Sequence, residues 1–120
     1  MEFKFKKEYP DFLKRKEESA KLRAQCPDKI PIICEKDPKC HIQEIDKTKY
    51  LVPEDLSISQ FCNMLKSRIT IDEKESFFLL FKGAHQVGLD SLIQEAYDKY
   101  KDEDGFLYVV YSAELVWGKI

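Results

Sequence analysis

The sequence contains only two histidines, His41 and His85, and no cysteine pair separated by two residues. Its four cysteines, Cys26, Cys34, Cys40 and Cys62, are separated by 7, 5 and 21 residues. The paired-ligand spacing of a zinc knuckle is therefore missing. Only Cys34, Cys40 and His41 come near a ligand grouping, and neither a metal nor any other cofactor is expected. Reduced thiols acting as small apolar fillers fit the pattern better. Neither histidine lies in a recognisable nucleophile motif, so no catalytic residue is expected and the chain is read as no enzyme. Long apolar runs are lacking too. The longest are residues 77–81 (FFLLF) and 106–111 (FLYVVY), far short of the roughly 20 residues that cross a bilayer. The first ten residues, MEFKFKKEYP, alternate aromatics with lysines and have no apolar core of a secretory signal, so none is expected. Repeats, low-complexity tracts and Gly/Ser linkers are also missing, which favours one domain with tails.

A strong charge of one sign is the remaining absence. Twenty basic residues stand against 22 acidic ones in 120, a net charge of −2. Bulk attraction to a polyanion is thereby excluded as the main activity, and nucleic acid is not an expected partner. The charge is nevertheless uneven: residues 1–50 carry a balance of +3 and residues 51–120 one of −5. Two solvated faces explain that split, as does a basic face for acidic peptides or anionic headgroups.

The residues present predict eight elements. A short basic arm, helical or extended, occupies 1–9. Pro10 and Asp11 open a helix through Gln25, with Phe12, Leu13, Ala20 and Leu22 as buried contacts. Residues 29–35 (KIPIICE) and 47–52 (KTKYLV) read as strands. In the second, Lys47, Lys49 and Leu51 point one way and Thr48, Tyr50 and Val52 the other. Pro53 closes it, which suits a sheet edge. Ser57 and Gln60 have the spacing of a capping box. Ile58, Phe61, Leu65 and Ile69, with Met64, then repeat at helical spacing. The run at 77–81 predicts a central strand buried on both faces. Leu89, Leu92, Ile93, Ala96, Tyr97 and Tyr100 mark a last helix, and 106–111 a last strand. The expected class is α+β: a mixed sheet wrapped on a helix, the ubiquitin-like β-grasp, with two additional N-terminal helices. Residues 1–26 would form the helical extension, 27–112 the core and 113–120 a flexible tail.

Three segments, 27–36 (PDKIPIICEK), 46–56 (DKTKYLVPEDL) and 101–111 (KDEDGFLYVVY), resemble the autophagy-related protein 8 family of ubiquitin-like modifiers. GABARAP and the microtubule-associated light-chain proteins belong to that family. YLVP, DEDGFLY and a near-terminal glycine occur in its order, from Phe3 to Gly118. The resemblance implies cleavage after Gly118 by a dedicated cysteine protease, with Lys119 and Ile120 removed. Activating and conjugating enzymes would then join the glycine to phosphatidylethanolamine. A residue without Cβ threads a narrow active-site channel readily. A cytoplasmic precursor would thus come to the autophagosome or a cytoplasmic vesicle membrane.

The resemblance also implies docking of cargo receptors and adaptors through motifs with an aromatic residue and an aliphatic one three positions later. The motif-binding aromatic pocket would comprise Glu18, Leu22, Pro31, Lys49, Leu51 and Phe106. The motif-binding aliphatic pocket would comprise Tyr50, Val52, Pro53, Leu56, Phe61, Met64 and Leu65. Lys29, Lys47, Lys49 and Arg68 would face acids of the peptide. The same apolar residues also suit an ordinary core, and periodicity does not separate the two roles. Residues 77–81 admit a second docking surface or a core strand. Phe3 and Phe5, among Lys4, Lys6 and Lys7, suit contact with an anionic membrane or microtubules, or packing of the first helix on the domain. The chain departs from the family pattern in having Trp117 before the glycine and Asn63 beside Met64. It also lacks a Pro-Pro pair in 82–90 and carries one extra residue near Asp11–Leu13. The alternative function is a ubiquitin-like adaptor in vesicle trafficking that binds motif peptides without lipidation.

Overall fold

The computed structural model describes residues 2–72 and 74–115. Its elements run α1 (Lys4–Glu8), α2 (Phe12–Gln25), β1 (Lys29–Lys36), β2 (Lys49–Pro53), α3 (Ile58–Lys66), β3 (Glu75–Phe81), α4 (Ile93–Tyr100) and β4 (Leu107–Leu115). The four strands form one mixed sheet in the order β2-β1-β4-β3. β1 pairs with β2 antiparallel and with β4 parallel, and β3 pairs with β4 antiparallel. This is the expected β-grasp arrangement with two helices added in front.

Side-chain alternation divides the core in two. Ile30, Ile32 and Cys34 of β1 and Leu107, Val109 and Tyr111 of β4 face α3 and α4, packing on Ile58, Phe61, Leu65, Ile93 and Ala96. Ile33, Tyr108 and Val110 point to the opposite face, where Phe3, Phe5 and Phe106 cover them. The two central strands are therefore buried on both sides, which explains their nearly unbroken apolar sequences. α3 starts as its sequence requires. Ser57 Oγ accepts from the Gln60 amide at 3.0 Å, and Gln60 Oε1 accepts from the Ser57 amide at 2.9 Å.

Four expectations need correction. The run at 77–81 is not central: β3 is an edge strand, and only Leu79 and Phe81 of it are buried. The apolar run reflects one face on the α3 side and Phe78 and Leu80 half-covered on the other. α2 buries Arg15 and Ser19, while Leu22 is half-buried and Phe12, Leu13 and Ala20 are exposed. Leu89 and Leu92 are exposed and precede α4. The last strand continues through Leu115, since β3 extends the pairing as far as Glu75 opposite Leu115.

The polar inner face of α2 has a specific partner. Asp104, wholly buried, accepts from Arg15 Nε at 2.9 Å, from the Tyr108 hydroxyl at 2.6 Å and from the Phe106 amide at 2.9 Å. The Ser19 hydroxyl donates to the Asp104 carbonyl. The next residue, Gly105, has φ +89°, and a Cβ there would collide with Ser19 Oγ. Glycine lets α2 approach this turn closely.

α1 is held from β1. Glu35, buried, accepts from the Lys4 amide at 2.8 Å and the Phe5 amide at 2.9 Å, satisfying two otherwise orphaned N–H groups at the helix start. Phe3 lies 5.0 Å from Tyr108 and Phe5 5.4 Å from Phe106, between ring centroids. The arm thus packs the first helix onto the sheet. Burying its two phenylalanines contributes about 1.5–3 kcal/mol each.

Candidate functional site

The N-terminal hairpin places β2 at the edge of the sheet, paired on one side only among the described residues. Its outer backbone groups can accept an added strand. Pro31 stands opposite Leu51, Ile32 opposite Tyr50 and Ile33 opposite Lys49. Tyr50 and Val52 are buried, while Lys49 and Leu51 are half-buried. The alternation sends the first pair to the α3 face and the second to the α1–α2 face, so the edge carries side chains into two separate environments.

On the α1–α2 face the structure brings together the residues expected for the aromatic pocket. Pro31 and Phe106 are buried, with Leu22 and Leu51 half-buried. Lys49 pairs with Glu18 and lies 5.7 Å from the centroid of the Phe5 ring. Phe5 is expected from the sequence to contact a membrane or microtubules or to pack the first helix on the domain, not to lie beside Lys49, because nothing local in the N-terminal arm signals that approach.

On the α3 face, Tyr50, Val52, Phe61 and Leu65 are at most 4% exposed. Tyr50 meets Phe61 edge-on, with centroids 6.2 Å apart. These four therefore belong to the packed core. Leu56 and Met64 lie half-buried against it, and Pro53 is exposed. The Tyr50 hydroxyl is enclosed without a hydrogen-bond partner among the described residues. Burial, foremost, pushes its pKa upward.

The expected cations separate. Lys47 Nζ and the Arg68 guanidinium carbon lie 5.3 and 5.8 Å from the Tyr50 ring centroid. Arg68 Nη1 also donates to both Asp46 carboxylate oxygens, at 3.0 and 3.3 Å. Lys49 serves the other face. Lys29 lies at the far end of the hairpin, opposite Pro53. Asp46 and its hold on Arg68, 22 residues away, left no local signal in the sequence.

A cavity of about 530 Å³ lies elsewhere, between α1, the end of β1 and residues 38–48, and none of the expected pocket residues lines it. Burial pushes the Cys34 thiol up, assisted by Glu35 and Cys62, and burial likewise raises Cys62 against the influence of Lys66. Both shifts oppose thiolate formation. Among the described residues no group of three or more His, Cys, Asp or Glu could hold a metal ion, and no helix is long and apolar enough to cross a membrane. Trp117, Gly118, Lys119 and Ile120 lie outside the described residues.

Comparison with known proteins adds to this geometry. The family profile described as "Autophagy protein Atg8 ubiquitin like" matches residues 14–118. Autophagy-related protein 8 of Pichia angusta is 42% identical over 120 residues, covering 100% of this chain and 94% of that protein. Its counterpart in Emericella nidulans is 44% identical over 118 residues and 98% of each chain. The crystal structure of Trypanosoma brucei ATG8 superposes with a TM-score of 0.86 at 37% identity, covering 96% of this chain and 97% of that one.

Proposed function

The chain belongs to the Atg8 family of ubiquitin-like modifiers of autophagy, and from that premise we propose how its own residues serve conjugation and docking. Proteins of this family are joined to phosphatidylethanolamine and bind short motifs. Here the conjugated residue is Gly118, exposed when a processing cysteine protease removes Lys119 and Ile120. The family's activating and conjugating enzymes carry out the chemistry, and this chain is their substrate. The cytoplasmic precursor thereby joins the autophagosomal or a vesicle membrane, where cargo receptors and adaptors dock on β2.

The two-faced edge is the observation that carries the docking reading. An added strand alternates its side chains, so residues three positions apart point to opposite faces. An aromatic residue and an aliphatic one at that spacing would meet Leu22 and Leu51 on one face and Leu56 and Met64 on the other. The half-buried state of those four supports this assignment, since each has surface left to cover. Tyr50, Val52, Phe61 and Leu65 would serve as the rigid backing of the aliphatic pocket. Two anchors at about 1.5–3 kcal/mol each, offset by ordering a flexible peptide, fall short of the roughly 8 kcal/mol of micromolar affinity, so the backbone hydrogen bonds of the added strand must supply the remainder.

Calorimetry with two synthetic peptides tests the assignment. One carries Trp-x-x-Leu, and the other Trp-x-Leu, whose spacing sends both anchors to one face. The first is expected to bind about tenfold more tightly or better, the loss of most of one anchor's contribution. Equal affinity would contradict docking by strand addition at this edge.

A further inference from the structure

We infer that Asp46 is an internal competitor for acidic residues of an incoming peptide, and so sets how acidic a peptide must be to bind well. The inference rests on the docking reading above and adds to it a residue that determines specificity. Arg68 is the cation involved. Its Nη1 is already bonded to Oδ1 and Oδ2 of Asp46, and its guanidinium lies over Tyr50 beside Lys47. A peptide carboxylate approaching this end of the edge meets an arginine whose charge is partly neutralised.

Two features make the contact a competitor rather than a structural tie. First, the Asp46 side chain is 74% exposed and that of Arg68 37%. An ion pair so exposed contributes little to the fold and breaks readily. Second, the carboxylate is presented by a fixed turn. The neighbouring Ile45 amide donates to the Tyr111 hydroxyl at 2.7 Å, and that hydroxyl donates to the Gln43 carbonyl at 3.0 Å. Gln43 Oε1 in turn accepts from the Thr70 amide at 3.1 Å, tying the turn to the segment just after Arg68. Asp46 therefore meets Arg68 at a high local concentration, and a peptide acid gains only what exceeds that pairing. Glu44, the other acid of the turn, faces Lys4 at 3.8 Å and does not share the role.

Calorimetry at low ionic strength tests this with two peptides that share a Trp-x-x-Leu core. One is flanked by two glutamates and the other by two glutamines. Asp46→Asn is expected to tighten the glutamate peptide about two- to fivefold, the range of an exposed ion pair. The glutamine peptide should change less than about 1.5-fold, and high salt should abolish the difference. In an Arg68→Gln background Asp46→Asn should have no further effect. Glu44→Gln, the same change of net charge two residues away, should leave the preference between peptides as it was. An unchanged preference in Asp46→Asn, or the same gain without Arg68, would overturn the inference while leaving the docking reading intact. Binding of neither peptide by the unaltered protein would overturn the docking reading, and the inference with it.

Discussion

Asp104 joins α2, the turn before β4 and β4 itself through one buried carboxylate. Truncating it leaves Arg15 buried, where its guanidinium keeps the bond to the Tyr9 carbonyl but loses its counter-charge. Removing one partner of a buried pair costs about 3–5 kcal/mol. Asp104→Ala should lower the stability measured by urea unfolding by that amount, and a loss below about 1 kcal/mol would refute the role. The hydroxyl of Tyr50 predicts the opposite sign. It is enclosed and unpartnered among the described residues, so Tyr50→Phe removes a desolvated polar group without breaking a bond. Stability should be unchanged or rise by up to about 1 kcal/mol in the same assay. A clear loss would mean that the hydroxyl has a partner in solution.

Each element depends on contacts of different range. α1 is pinned by Glu35 and by Lys6, whose ammonium bonds Asp102 at 2.8 Å. Burial raises the Asp102 pKa, but the Lys6 bond and the Asp104 amide outweigh it, and the net shift is below the ordinary 3.8. A carboxyl with a depressed folded pKa contributes stability that is present above 3.8 and lost as pH falls through the folded value. Followed by NMR titration, the Asp102 carboxyl should titrate below its ordinary value and move upward in Lys6→Met, and an unchanged titration in that variant would contradict the role of the Lys6 bond. At β2, Leu51→Ala should weaken a Trp-x-x-Leu peptide about five- to thirtyfold, for a loss of about 1–2 kcal/mol of apolar contact. Its cost in thermal stability should be small, because Leu51 is already half-exposed. Unaltered affinity by calorimetry would remove Leu51 from the site.

The same difference of range explains what the sequence revealed. The Ser57–Gln60 cap and the alternation of Tyr50 and Val52 are written in neighbouring residues, and both were legible. The inner face of α2 was not, since Arg15 and Ser19 are buried by a partner 85 and more residues away. Nor does an apolar run at 77–81 say how many strands lie beside it. The docking residues became legible only through family resemblance, because half-buried Leu51 and Met64 have the same periodicity as core.

At the scale of the molecule, one sheet separates two apolar layers and leaves β2 at an edge that touches both. That arrangement lets a single added strand be read on two faces at once. No helix among the described residues is long and apolar enough to cross a membrane, and in the function proposed above attachment runs through Gly118. Trp117 precedes that glycine where the family more often has phenylalanine or tyrosine, so under the proposed processing the protease would have to admit the larger ring. The central claim is that Gly118 becomes the chain's end and its point of conjugation. Intact-mass spectrometry after incubation with the family's processing cysteine protease tests it most directly. The expected result is loss of Lys119 and Ile120 from the unaltered chain and none from Gly118→Ala. An uncut chain, or the same loss from Gly118→Ala, would contradict it.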